Sequence, residues 1–495
     1  MNDIRRFGEE SKWIWFILAA ALYAVRVMPC AMSELWYDEV LTLTDFSLDL
    51  SNRGVAASIL RNYTMANNHI LNSLVYWGWV RLLNFNLLPE ALLRFPSLML
   101  GLGTIALCVL HWRKWLGGRT AALGGVLLAL SPIFTNYVYQ IRGYSLTIFL
   151  SALCVSGALE YYDGKHRLGH FLGISSGILL PLVMPSNVIL APLAAVMYES
   201  VFPLKNVKEK LRASLPILIA FGIGGAYYLT IWGQFLKTTH EPAGWKSAWL
   251  VMGCLMLAVL AHILVLLPPI AQNIKKSINA LKGEKTSLQL WPLVLFAGPL
   301  ILTSLLLAVS RSGHAPYPRV FLVFLPQITF GALLLTSRIE LSPKAYVALL
   351  AAVIMNALLW ERIPTEITQA QLKRGISPSN LLQQYYRGST ELRSSMETVS
   401  EAFPKQDLYI ITDEYDFPTT QLYSLLYSNG AKAQVTTFNR SAKGDWSTIP
   451  SYSRPRLVLI AKTDAAARRL SEHAGIDKKL KTVKRLEIRT IYTIE

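Results

Sequence analysis

The sequence predicts an α-helical polytopic membrane protein of about eleven transmembrane helices, with a soluble α/β domain at its C-terminal end. Of the 495 residues, 53% are hydrophobic and only 16% are charged, which is too apolar for a chain surrounded by water. From Trp13 to Trp360, apolar runs recur with the length of about 20 residues that a bilayer requires. The remainder is charged and rich in turns. We therefore expect a transmembrane domain over residues 1–361 and a soluble domain over 362–495.

The distribution of basic residues predicts the topology. A net charge of +17 would also suit a nucleic-acid-binding protein, but the basic residues lie in short loops between apolar runs rather than in one patch. Such loops face the cytoplasm by the positive-inside rule. In this multi-pass protein of the plasma (inner) membrane, the N-terminus is then cytoplasmic and the C-terminal domain is periplasmic or extracellular. The predicted spans are 13–31, 90–111, 120–138, 144–162, 168–185, 187–203, 213–232, 247–269, 290–310, 320–336 and 345–361.

The first outward loop, residues 32–89, contains a short apolar helix at 70–83. This segment is too short to span comfortably and carries Arg81, so we expect it to lie along the membrane surface. As a span it would put Arg113 outside and invert the topology of everything that follows. The first apolar run also has the pattern of a cleaved signal peptide ending near Ala31. We favour an uncleaved span because further spans follow.

The C-terminal domain alternates predicted strands with predicted helices. The strand-like segments are DLYIITDEY, AKAQVTTF, RPRLVLIAK and IRTIYTIE, and the helix-like segments are PTTQLYSLLYSN and DAAARRLSEHA. This order predicts a small α/β domain, which we assign to acceptor handling or structural packing. An acidic cluster after the first strand, Asp413, Glu414 and Asp416, suits a solvated loop better than a cation or ligand site.

Two acids, Asp38 and Glu39, stand together just beyond the first span. Adjacent carboxylates raise each other's proton affinity and can take a proton from an attacking hydroxyl. Asp38 is therefore the candidate base. Acids also favour the first turn of a helix, so from the residues alone a solvated loop with a helix start is an equally good interpretation.

Polar and cationic residues recur where the outward loops meet the spans. An arginine at the hydrocarbon border costs free energy unless it meets an anion, which makes a phosphate group an attractive partner. Lipid headgroups, an internal salt bridge and snorkelling to the interface are the other interpretations. A lone histidine is more often structural than catalytic. The residues concerned are Asn68, His69, Arg94, Gln140, Arg142, Tyr144 and Arg319.

Taken in order, several motifs resemble those of the polyprenyl-phosphate-sugar-dependent integral membrane glycosyltransferases of the GT-C superfamily. This superfamily includes the lipid A aminoarabinose transferases and the protein O-mannosyltransferases. The resemblance covers mainly residues 32–160, with a weaker similarity at 316–326, and implies a GT-C-like fold. The motifs are WYDEVLT, NNHILNSL, LLRFPSLMLG, HWRKWLGGRTAAL, LLALSPIFTNYVYQIRGYSL and PYPRVFLVFLP.

The resemblance also implies a reaction and roles for individual residues. A sugar would pass with inversion from a membrane-embedded polyprenyl-phosphate donor to a glycan, lipid or protein acceptor. The family's acid in the first outward loop corresponds to Asp38, the catalytic base, with Glu39 as its neighbour. Its outward-facing arginines correspond to Arg142 and Arg319 as ligands of the donor phosphate. Further residues expected to line the cavity are Asn68, His69, Arg94, Gln140 and Tyr144.

At one position the chain departs from this family. Many relatives read QEAR before the tyrosine, whereas this chain has Gln140 in place of the second acid, and an amide supplies no negative charge to a divalent ion. We therefore predict no metal and no other cofactor. Two further function classes fit the apolar spans. A transporter or lipid flippase would place ionisable residues near the bilayer midplane, and a non-catalytic membrane scaffold would display the C-terminal domain to a partner.

Overall fold

The protein is mostly helical, with one small sheet near its C-terminus, in the computed structural model. The structure describes residues 2–48, 53–63, 68–83, 89–199, 207–234, 262–268, 322–338, 342–374, 391–413, 416–427, 433–437, 456–473, 480–487 and 489–494, with single residues and short pieces between 271 and 302. The α-helices are α1 (Asn2–Ala31), α2 (Tyr37–Leu41), α3 (Ile70–Leu82), α4 (Glu90–Leu93), α5 (Phe95–Ala106), α6 (Arg113–Leu116), α7 (Gly118–Leu130), α8 (Pro132–Val138), α9 (Tyr144–Tyr162), α10 (His166–Val183), α11 (Leu190–Glu199), α12 (Val207–Ala226), α13 (Leu325–Thr336), α14 (Pro343–Lys373), α15 (Leu392–Ala402), α16 (Phe417–Tyr427) and α17 (Asp464–His473). Shorter π-helical and 3₁₀ turns lie at Thr42–Ser47, Ala56–Leu60, Leu107–His111, Pro185–Ile189, Tyr227–Ile231 and Leu264–Leu266.

Three of the described helices are long and apolar enough to cross a membrane, and the bent pair α7 and α8 makes a fourth if it counts as one span. Their bounds are Lys12–Ala31, Tyr144–Tyr162, Val207–Gln234, and Gly118–Leu130 with Pro132–Val138. Each overlaps a span predicted from the sequence. The predicted spans at 247–269 and 290–310 fall mostly outside the described residues, so the number eleven stays a prediction.

Helix α9 is surrounded by other apolar helices. It is apolar on all sides, as a helix buried in protein is expected to be, and it packs against α5, α10, α11 and α13. Its close approach to α10 requires Gly157, where an added Cβ would lie 2.9 Å from the backbone oxygen of Gly169 and 2.6 Å from the hydroxyl of Tyr198. Small residues allow such backbone-to-backbone packing between apolar helices. The packing of α9 fixes its first residue, Tyr144.

The chain forms two compact units. The helical unit comprises Met1–Pro29, Arg53–Tyr76 and Arg94–Trp360, and the sheet unit comprises Cys30–Asn52, Trp77–Leu93 and Glu361–Glu495. The sheet unit therefore includes two pieces of the predicted outward loop as well as the C-terminal residues. Asp38 and Glu39 lie in the first of these pieces.

A five-stranded sheet in the order β2-β1-β3-β5-β4 forms the centre of the sheet unit. β1 pairs in parallel with β2 and β3, and β5 runs antiparallel to β3 and β4. Alternate residues bury opposite faces: Ile410 and Val458 pack with α15 and α16, while Ile411 and Leu459 pack with α17. The unit is thus a three-layer α/β/α arrangement. The strands are β1 (Leu408–Thr412), β2 (Ala433–Thr437), β3 (Arg456–Ala461), β4 (Leu480–Arg485) and β5 (Thr490–Ile494).

Most elements of the sheet unit were predicted from the sequence, but strand β4 and helix α15 were not. β4 has the sequence LKTVKR, is largely exposed at the sheet edge, and has an irregular register between Thr482 and Lys484. Basic edge strands discourage pairing with other chains. Such a strand lacks the apolar alternation on which strand prediction depends, which explains why it was missed.

Candidate functional site

The turn that carries Arg142 follows a broken helix. Helices α7 and α8 meet at Ser131-Pro132 and are bent by 60°, because a residue before proline avoids the helical conformation. His262 links this break to α13. Its Nδ1 lies 2.6 Å from the Ser131 hydroxyl at the break, and its Nε2 lies 2.9 Å from the hydroxyl of Thr329 in α13. Nothing in the sequence distinguishes His262, which falls in an apolar run.

Gln140 shapes the same turn. Its side-chain amide donates to the backbone oxygen of Asn136 at 2.6 Å. Its backbone oxygen accepts from the Ser97 hydroxyl and from the Arg142 N–H, each at 2.7 Å. These bonds give Gln140 a structural use, and its expected part in substrate binding stays a prediction.

The turn brings Arg142 beside His69. The Gly143 N–H donates to Nδ1 of His69 at 2.7 Å, and Nε2 of His69 lies 3.4 Å from Nη2 of Arg142. Because Nδ1 accepts, a neutral imidazole carries its proton on Nε2. Nε2 and the guanidinium are then both donors, and an anion can accept from both. The two side chains are buried, with 6% and 1% of their surface exposed.

Aromatic rings surround this pair. The Tyr144 ring packs edge to face on His69, with 5.5 Å between ring centroids, and on Tyr137 at 5.2 Å. Cζ of Arg142 lies 5.7 Å from the centroid of Tyr144. The Tyr144 hydroxyl is buried and has no hydrogen-bond partner among the described residues. It is therefore suited to bond a ligand.

Tyr63 belongs to the same neighbourhood, although no motif singles it out as a site residue. Burial raises the pKa of Tyr63 to about 12, while the positive charge of Arg142 acts to lower it. Tyr63 therefore keeps its hydroxyl proton at neutral pH. Its ring packs edge to face on Tyr228, at 5.7 Å between centroids.

Asn68 is buried in the loop before His69. Its amide nitrogen donates to the backbone oxygens of Ile59 at 2.8 Å and Asn62 at 2.6 Å, and its oxygen accepts from the Ser73 hydroxyl at 3.0 Å. These bonds use the amide to hold the loop. The sequence-based expectation that Asn68 binds substrate stays a prediction, with a structural alternative now visible.

Arg94 lies against the turn from the side of α5. It is fully buried, precedes the first residue of α5, and holds Cζ 5.2 Å from the ring centroid of Tyr139. One turn further on, the Ser97 hydroxyl lies 2.7 Å from the hydroxyl of Tyr76. Arg94 thus packs against Tyr139, in the segment that leads to Arg142.

The two predicted acids lie in the sheet unit, in the short helix α2. The Trp36 N–H donates to Oε2 of Glu39 at 3.2 Å, which is the backward bond of a helix capping box. Glu39 is fully buried, and Asp38 has 9% of its surface exposed. The carboxylate of Glu39 therefore has a structural use, and Asp38 is the better candidate for a proton acceptor.

Arg319, the second predicted phosphate ligand, lies outside the described residues. Within the described ranges, no group of three or more His, Cys, Asp and Glu side chains could hold a metal ion. The expectation that no metal is needed stays a prediction.

Comparisons with known proteins identify the fold. The chain is similar to ArnT from Cupriavidus metallidurans bound to undecaprenyl phosphate, with a TM-score of 0.56, 12% identity and 98% of each chain covered. It is similar to the apo state of the same protein with a TM-score of 0.53, again at 12% identity over 98% of each chain. No family model and no curated protein matches the sequence. At this identity the likeness shows the fold alone: the chain has the fold of ArnT along nearly its whole length, well beyond the residues 32–160 that carry the motifs.

Proposed function

We propose that this chain is an inverting glycosyltransferase that moves a sugar from a polyprenyl-phosphate donor to an acceptor at the outer face of the membrane. The observation that carries the proposal is the likeness over 98% of the chain to a protein bound to undecaprenyl phosphate. The apolar helices suit a donor that never leaves the bilayer. The transporter and scaffold alternatives have no comparable support.

Arg142 and His69 bind the donor phosphate. Their guanidinium and Nε2–H donors lie 3.4 Å apart, close enough to share one phosphate group. Charge-assisted hydrogen bonds of arginine to phosphate are strong, and burial weakens the competition from water. The Tyr144 hydroxyl supplies a third donor beside them, and Arg319 is proposed as a further ligand.

The acceptor hydroxyl attacks the anomeric carbon from the face opposite the phosphate. The new glycosidic bond forms as the bond from the anomeric carbon to the phosphate oxygen breaks, so the configuration inverts. The proton of the hydroxyl passes to Asp38, and the polyprenyl phosphate leaves with the bonding electron pair. Arg142 and His69 stabilise the charge that develops on the leaving phosphate.

The test is sugar transfer by the purified full-length chain in proteoliposomes that contain radiolabelled polyprenyl-phosphate sugars. Asp38→Asn is expected to lower kcat by about 10²–10⁴-fold, the usual contribution of a general base. Asp45→Asn, a nearby acid whose carboxylate accepts from the Thr44 hydroxyl at 3.1 Å, is the matched control and keeps its activity. Undiminished turnover by Asp38→Asn would remove Asp38 as the base, and lipid translocation without any transfer product would favour the flippase.

A further inference from the structure

Two helices in the C-terminal part of the sheet unit form hydrogen bonds with the chain just before Asp38. The Leu35 N–H donates to the hydroxyl of Tyr423 in α16 at 2.9 Å, across 388 positions of sequence. The Arg393 N–H, in the first turn of α15, donates to Oε1 of Glu34 at 3.0 Å. A carboxylate in this place satisfies a helix N–H that has no partner within the helix. Two successive residues are thus anchored by the two helices on one face of the sheet.

Glu90 joins the two anchors. Its Oε1 accepts from the Tyr423 hydroxyl at 3.2 Å and from Nη1 of Arg393 at 3.2 Å. Glu90 is 9% exposed and Tyr423 is fully buried. A buried carboxylate with hydrogen bonds from two donors is costly to disrupt, because its charge would be left uncompensated. The anchors therefore act as one network.

Only two residues separate Leu35 from Asp38, and the Trp36 N–H is held by Glu39. The chain leading to the proposed base is therefore held through the Glu34 carboxylate and then through the N–H groups of Leu35 and Trp36. We propose that Tyr423 and Arg393 are positioning residues, which set the place of Asp38 through this backbone. This inference rests on the proposed function, and it gives the C-terminal domain a role in the reaction itself.

The first test needs no activity. Amide hydrogen exchange of the peptide covering residues 33–41 is compared in the full-length chain and in Tyr423→Phe, which removes the hydroxyl and keeps the ring. We expect amide exchange in this peptide to be about tenfold faster, because one buried hydrogen bond is lost. The exchange rates of β1 and β3 should not change. Tyr492→Phe is the matched control, because its hydroxyl bonds Asp464. Equal exchange in all three proteins would overturn the anchor.

The second test separates positioning from general stability. Tyr423→Phe is expected to lower kcat for sugar transfer about ten- to a hundredfold, because a small displacement of a reacting group is costly. The donor KM is expected to stay within about twofold, because neither Tyr423 nor Asp38 is a proposed ligand of the donor phosphate. In an Asp38→Asn background, Tyr423→Phe should have almost no further effect. Losses that multiply in the double variant, or a rise in donor KM alone, would overturn the positioning role.

The two proposals fail in distinguishable ways. If the unaltered chain transfers no sugar, the proposed function fails and the catalytic role of the anchors fails with it, whatever the exchange data show. If the unaltered chain is active and Tyr423→Phe has wild-type kcat, only the positioning role is overturned. Arg393→Met provides a second variant: it keeps the N–H that bonds Glu34 and removes the bond from Nη1 to Glu90, so a smaller acceleration of exchange at residues 33–41 and a smaller loss of kcat are expected.

Discussion

The two units differ in secondary structure, although each collects three stretches of the chain. The helical unit is mostly Arg94–Trp360, and the unit with the five-stranded sheet is mostly Glu361–Glu495, joined by the shorter pieces Cys30–Asn52 and Trp77–Leu93. The proposed phosphate ligands His69 and Arg142 belong to the helical unit, and the predicted base Asp38 belongs to the sheet unit. Under the proposed roles, donor binding and proton transfer use residues of different units, so each should respond to its own set of substitutions.

The largest expected effect is on the stability of the sheet unit. Arg489 and Asp416 form a buried bidentate pair, with Nη2 of the arginine 3.0 Å from Oδ1. Burial alone would raise the pKa of Asp416, but Arg489 and Lys462 hold it below its ordinary value. Arg489→Met leaves a buried carboxylate without this partner and should destabilise the unit by about 3–5 kcal/mol, measured by hydrogen exchange in β3.

The control for Arg489 is Arg485→Met, which removes an exposed partner of Asp464. Exposed pairs contribute little to stability because water and salt screen them, so this variant should exchange like the unaltered protein. Exchange within the helical unit should not change in either variant. Equal destabilisation by the two substitutions would contradict the assignment of Arg489 to a buried core pair.

The next largest expected effect is on the KM for the donor. Arg142→Lys keeps the charge but loses the planar fork that bonds phosphate through two nitrogens. We expect donor KM to rise about ten- to a hundredfold, the value of one hydrogen bond to a charged group, with the sheet unit unchanged in stability. Transfer kinetics at varied donor concentration measure this. Arg113→Lys, in a predicted cytoplasmic loop, is the control, and a donor KM equal in both variants would exclude Arg142 from the phosphate site.

A smaller effect is expected from Gly143→Ala. An added Cβ would lie 2.5 Å from Cγ1 of Val183 and 2.7 Å from Nδ1 of His69, so the imidazole must move. Such overpacking costs about 1–3 kcal/mol and should also raise donor KM. Thermal unfolding and transfer kinetics test both effects. At Gly222 a Cβ meets nothing within 4 Å, so Gly222→Ala should leave the thermal stability and the donor KM unchanged. Identical behaviour of the two variants would show that His69 tolerates displacement.

The smallest effect on donor binding is expected at Asn68. Asn68→Ala leaves the backbone oxygens of Ile59 and Asn62 without the bonds that the amide donates. Stability should fall by about 1 kcal/mol per lost hydrogen bond, with little change in donor KM. Ser73→Ala removes a single bond to the same amide and should cost less. A large rise in donor KM at unchanged stability would instead make Asn68 a substrate ligand.

Local patterns made much of the fold predictable. The span predicted at 144–162 is observed as Tyr144–Tyr162, because the length and continuity of an apolar run are written in adjacent residues. The continuous apolar runs of β1 and β3, which are packed on both faces, predicted both strands for the same reason. β4 was missed because an exposed basic edge strand carries no such apolar run. α15, in contrast, has its buried residues Leu392, Met396 and Val399 at helical spacing, so this helix is also specified by a local pattern.

The sequence by itself determined the apolar spans, the α/β character of the C-terminal region, and the residue types able to hold a phosphate or accept a proton. Only the tertiary structure decided which polar groups use one another: Glu39 as a cap, His69 as the acceptor of the Gly143 N–H, and Leu35 bonded to Tyr423 across 388 positions. The physical reason is that apolar periodicity is a property of neighbouring residues, whereas a hydrogen bond is specified by two groups that folding alone brings within about 3 Å.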